Sequence, residues 1–117
     1  MSGNKNNQPK GQTMYIGKVE LKETWKKLED LIQEQISGQS GFAFDETKTY
    51  SLQTDTGNDT CVSGAYVCNS ATEPTELNDG EHLDPEISAE YVPESGIYLW
   101  VKIRGAKHDV RLAISEI

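Results

Sequence analysis

Four side chains of this sequence carry the soft donors that hold transition metals, namely Cys61, Cys68, His82 and His108. Two sulfurs and two imidazole nitrogens suit zinc, but structural zinc sites take their ligands from close pairs, and neither pair here has that spacing. The segment DTGND, Asp55 to Asp59, resembles the start of a calcium loop. A complete loop needs further oxygen ligands and a terminal bidentate Glu, which are missing, and Asp, Gly and Asn are also the residues that close turns. Residues 73 to 94 hold eight acids (Glu73, Glu76, Asp79, Glu81, Asp84, Glu86, Glu90 and Glu94) and no Lys or Arg. Glycoside hydrolysis needs two carboxylates across a cleft, one of them in an apolar pocket. These acids lie among Pro, Gly and Asn, so the first expectation is a plain solvated face, and the alternative is a negative loop that meets a basic partner. No catalytic residue, metal site or cofactor site is therefore expected, and the chain reads as a protein that is not an enzyme.

The fourth constellation lies on IYLWVKIR, Ile97 to Arg104. Tyr98, Trp100, Lys102 and Arg104 alternate with Ile97, Leu99, Val101 and Ile103, and a period of two places them on opposite faces of a strand. Aromatic rings mixed with cations are frequent anchors of interfaces. Three uses stay open for that second face: cover by the protein's own helix or a loop, contact with another chain, or a sugar platform on Tyr98 and Trp100.

The elements that must position these residues follow from hydrophobic periodicity. VRLAIS repeats the alternation with Val110, Leu112 and Ile114, and the five residues between the two runs predict a β-hairpin. Tyr15 to Leu21 reads as a short strand, with Tyr15, Val19 and Leu21 on one face. In TWKKLEDLIQEQI, Trp25, Leu28, Leu31, Ile32 and Ile36 fall at helical spacing, predicting one amphipathic helix over about residues 24–37. Thr24 is its expected cap, Gly38 its stop, and Trp25 the side chain that seats it on the sheet. Phe42 to Phe44 and KTYSLQT read as strands, the second with Tyr50 and Leu52 facing in. CVSGAYV and ISAEYV are two more, separated by a long loop from Asn69 to Asp84. Many short strands with turns about every ten residues predict a mainly β fold, a β-sandwich of jelly-roll type with one helix near the N-terminus.

Composition sets the outer limits. The chain has 117 residues, 35% hydrophobic and 26% charged, enough for one core and one domain, expected over residues 14–117. Residues 1–13 are polar, with Asn, Gln and Gly and little to bury, and read as an extended arm. No apolar run approaches the ~20 residues that cross a bilayer, and MSGNKNNQPKGQT has no apolar leader core, so no membrane role and synthesis in a cytoplasm are expected. In that compartment Cys61 and Cys68 stay reduced. The net charge is −8, yet the arm carries Lys5 and Lys10 and no acid, which leaves all nineteen acids on the body. A body without a basic patch disfavours nucleic acid and favours basic partner surfaces.

Laid out in this order, the chain resembles small β-sandwich proteins of tailed-phage virions, of the head-fibre and capsid-decoration type. The residues that carry the resemblance are TWKKLEDLI (24–32), TYSLQTD (49–55), EPTE (73–76), DGEHLDPE (79–86), GIYLWVKIR (96–104) and VRLAISEI (110–117). The resemblance implies a non-enzymatic structural protein, made in a bacterial host's cytoplasm and carried on the virion. It would form a homo-oligomer and dock on other virion structural proteins of the capsid or tail. The partner-binding residues expected on that reading are Lys5 and Lys10 in the arm, Tyr98, Trp100, Lys102 and Arg104 on the aromatic face, and Glu81, Asp84 and Glu86 in the acidic loop. The alternative is a carbohydrate-binding β-sandwich module.

Overall fold

A computed structural model describes residues 14–55, 64–75, 80–83, 88–104 and 110–117. Eight strands and one helix follow in chain order: β1 (Met14–Glu20), β2 (Lys26–Lys27), α1 (Leu28–Gln35), β3 (Tyr50–Asp55), β4 (Ala65–Ser70), β5 (Glu81–Leu83), β6 (Ser88–Tyr91), β7 (Tyr98–Ile103) and β8 (Arg111–Glu116). The strands form two antiparallel four-stranded sheets that face each other as a β-sandwich. One has the order β1-β8-β3-β6 and the other β2-β7-β4-β5.

Within those orders every early strand pairs with a late one: β1 with β8, β2 with β7, β3 with β6, and β4 with β5. The chain therefore behaves as one long antiparallel ribbon folded over on itself. The fold-over is visible at its first corner. Leu21 N–H donates to the Val110 carbonyl at 2.9 Å, while Ile103 N–H donates to the Lys22 carbonyl at 2.8 Å. Both arms of the ribbon thus step from one sheet to the other together.

This arrangement corrects the expected hairpin. β7 and β8 do not pair; they belong to opposite sheets. Two strands that face each other across a core show the same inward alternation as two hairpin partners. The chain from Ile103 to Arg111 is long enough to span the ~10 Å between stacked sheets. Alternation identifies a buried face without naming the sheet that owns it.

The aliphatic faces do meet in the middle. Val19, Leu21, Leu52, Ala65, Leu83, Leu99, Val101, Val110, Leu112 and Ile114 are buried in one cluster with Leu28, Leu31 and Ile32 of the helix. Each full burial of such a side chain contributes about 2 kcal/mol. The helix is shorter than expected, because Lys26 and Lys27 pair with Val101 and Trp100 as β2 instead of opening a helical turn. Thr24 is consequently no cap; Lys27 occupies that position in extended conformation, with no side-chain hydrogen bond. Gly38 does adopt the left-handed conformation, with φ of 83°.

A bulge in β1 explains a second departure. The register passes from Tyr15 opposite Ser115 to Gly17 opposite Ile114, which leaves Ile16 as the extra residue. Ile16 packs on the core and Tyr15 turns outward, 61% exposed, so Tyr15 does not share the buried face of Val19. Gly17 is required there. Its φ is +153°, and an added Cβ would lie 2.6 Å from the Ile36 side chain. The Gln35 side chain closes the β1 edge, accepting from Glu20 N–H at 2.7 Å and donating to Glu20 O at 2.9 Å.

Phe42 and Phe44 lie in a loop and form no strand. The helix holds that loop: Gln33 donates to the Phe42 carbonyl at 2.7 Å, and Glu29 accepts from Phe44 N–H at 2.8 Å. The rings build an edge-to-face chain instead, Phe42 on Phe44 at 5.0 Å, then Phe44 on Tyr50 at 4.8 Å and on Tyr91 at 5.0 Å. β5 lies inside what reads as a long loop, because three residues carry too little alternation to signal a strand.

Burial among these rings, with the Glu29 and Glu94 carboxylates nearby, pushes the Tyr91 hydroxyl up to about 12 from an ordinary 10.0. The raised value means the folded protein keeps a proton that the unfolded chain releases, so stability is lost as pH rises from about 10 to about 12. Chemical unfolding across that window should show the loss, and Tyr91→Phe should flatten it. Identical alkaline slopes in the two proteins would contradict this.

Candidate functional site

The site is built on the outer face of the sheet containing β7. Register places Trp100 between Lys27 on β2 and Cys68 on β4, and Lys102 beside Tyr66, which in turn lies opposite His82 on β5. Trp25, just before β2, closes over this row. Its ring centroid is 6.4 Å from that of Tyr66, and Tyr66 is 4.7 Å from His82. Two lysines are threaded through the rings. Lys27 Nζ sits 3.8 Å over Tyr98 and 5.6 Å from Trp100, and Lys102 Nζ lies 5.9 Å from Trp25 and 5.6 Å from Tyr66. Each such contact contributes about 0.5–1 kcal/mol where exposed and more where water is excluded.

The cover is local. β2 and its preceding residues lie on one side and the segment after β4 on the other, where Pro74 is buried. Trp100 is buried and its indole Nε1–H donates to the Ser70 carbonyl at 3.0 Å, so its ring is not a platform for a sugar. Tyr98 is exposed at the edge, with the Lys27 ammonium on its ring face. Trp25 does not seat the helix on the sheet. It is 8% exposed on the outer face, whereas the helix sends Leu28, Leu31 and Ile32 into the core between the sheets. A tryptophan at helical spacing from Leu28 gives no sign that the chain turns extended between them.

Beside Trp25 opens a cleft of about 560 Å³, lined by Glu23, Thr24, Trp25, Glu73, Pro74, Thr75 and Lys102. Lys102, 7% exposed, is part of its lining. Gly80 lies against the back of the Trp25 ring, where any side chain would strike the Val67 carbonyl. A smaller cavity of about 160 Å³ lies near Glu29, Phe44, Tyr91 and Glu94.

The expected partner-binding residues are thus divided. Tyr98, Trp100 and Lys102 share one face, and Arg104 is half-buried at the end of that strand, its N–H on the Gly64 carbonyl at 3.1 Å. Glu81 is exposed opposite Val67, off that face by one residue of register. Lys5, Lys10, Asp84 and Glu86 lie outside the described residues, as do Cys61, His108, the arm and the DTGND turn beyond Asp55. Among the described residues, no three His, Cys, Asp or Glu side chains come together as metal ligands do. Trp25, Glu23 and Glu73 were not anticipated as neighbours of Lys102. The pairing of β7 with β2 brings Glu23 and Trp25 there and its pairing with β4 brings Glu73, and a two-residue strand leaves no periodic signal.

Compared with family models, with curated proteins and with solved structures, the chain shows no match. Its chemistry must be read from the fold and from this face.

Trp100→Phe keeps a ring in place but removes the donor that satisfies Ser70. Equilibrium urea unfolding should show a loss of about 1 kcal/mol, as expected for a half-buried carbonyl left without its partner. An unchanged midpoint would show that the carbonyl has another donor.

Proposed function

We propose that this chain is a non-enzymatic structural protein of a phage virion, a jelly-roll domain that docks on other virion proteins as a homo-oligomer. The observation that carries the reading is the strand order. Pairing of β1 with β8, β2 with β7, β3 with β6 and β4 with β5, spread over two facing sheets, is the order of a jelly roll wound from one ribbon. That architecture is used by viral capsid and lectin domains. The space between the sheets is filled by aliphatic side chains, which suits a rigid building block.

The outer face of the β1-β8-β3-β6 sheet supplies a surface for docking. Tyr15, Val92 and Ile117 are exposed there at one end, beside the point where residues 1–13 leave β1. The mechanism is passive: the apolar end of the sheet and the arm grip a neighbour, while the acidic body favours a basic one. Salt screens the second contribution and spares the first.

Quantitative mass spectrometry of gradient-purified phage particles, made in cells that express the chain, tests this. The chain should co-purify in fixed stoichiometry, and Tyr15→Glu or deletion of residues 1–13 should strip it from particles without lowering its melting temperature. A chain found only in the soluble lysate would overturn the proposal.

A further inference from the structure

Lys102 poses a question that docking does not answer. Its side chain is nine-tenths buried, and among the described residues its ammonium meets only the rings of Trp25 and Tyr66, with no ion pair or hydrogen bond. Rings offset part of the desolvation of a buried cation, but they give no oxygen acceptor to its three N–H donors. An apolar residue of similar length would serve the fold at least as well. A buried cation held by rings and lining a cleft is a donor to which a ligand can bring acceptors.

The walls identify the ligand chemistry. Glu23 and Glu73, both exposed, are among the lining residues and carry carboxylate acceptors, and neither forms an ion pair with Lys102. Trp25 and Pro74 present apolar surface. One cluster of donors, two separated acceptors and an aromatic wall together fit a molecule whose groups both donate and accept while its carbon skeleton shows an apolar face. Hydroxyl groups do both. We propose that this cleft binds a neutral saccharide, with Lys102 donating to hydroxyl or ring oxygens, Glu23 and Glu73 accepting from hydroxyls, and a sugar face against Trp25. An anionic ligand fits less well, because the lining carboxylates and the net charge of −8 oppose its approach. The cleft's size, about 560 Å³, falls in the range of small-molecule sites, ~300–1,000 Å³. This site differs from a Tyr98–Trp100 platform, and it does not depend on the docking reading.

The test uses the full chain on an array of neutral oligosaccharides, including glucans, mannans, galactans and chitin oligomers, followed by ¹H–¹⁵N NMR titration with the best binder. Binding should shift the indole N–H of Trp25 and leave that of Trp100 in place. Lys102→Met should fold with an equal or higher melting temperature and lose binding at least tenfold, and Glu73→Gln, an exposed change that leaves the fold alone, should weaken it severalfold. No binder on the array would overturn the proposal. So would binding that survives both substitutions, or a response confined to acidic glycans, inorganic phosphate or acidic peptides.

Discussion

Strand β7 is covered on both faces, and the rest of the molecule is arranged around that constraint. Leu99, Val101 and Ile103 enter the core between the sheets, while Trp100 and Lys102 are buried on the other side. A strand of an antiparallel sandwich needs only one covered face. The second cover demands extra chain, which Trp25 with β2 and the segment around Pro74 provide. The partners on β4, Tyr66 and Cys68, are drawn into the same layer. Once β7 is held between β2 and β4, β8 has no free edge beside it and must join the opposite sheet.

The inward face of that layer was legible in the residues. Alternation in IYLWVKIR, VRLAIS and TYSLQT names Leu99, Val101, Ile103, Leu112, Ile114, Tyr50 and Leu52, all of which are buried. The mainly β class, the two-sheet sandwich and the single helix follow from the same signal. Pairing did not, because period two specifies faces and leaves partners open. Hence β7 and β8 look like a hairpin from the sequence and are neighbours only through the core. The helix boundary failed for a related reason. Trp25 and Leu28 are three apart, as on one helical face, yet the chain between them is extended and sends the two side chains to different layers.

The candidate site was half legible. Tyr98, Trp100 and Lys102 were singled out for lying on one face with the chemistry of a contact surface. Sequence could not say that Trp100 is engaged by the Ser70 carbonyl, nor that Glu23, Trp25 and Glu73 surround Lys102. Those neighbours come from positions 29 or more residues away along the chain, and local patterns carry no record of such contacts. Residues 76–79 and 84–87 of the acidic segment and the N-terminal arm, where much of the expected docking chemistry lies, fall outside the described residues.

The double burial of β7 between β2 and β4 can be checked directly by cross-strand proton contacts in a ¹³C/¹⁵N-labelled sample. Backbone contacts should link Val101 with Val67 on β4, and Ile114 with Leu52 on β3. Between the backbones of β7 and β8 there should be none, the two strands meeting only through side-chain methyl groups. A continuous backbone ladder between β7 and β8, with Val101 opposite Leu112 or a near neighbour, would contradict the arrangement of both sheets.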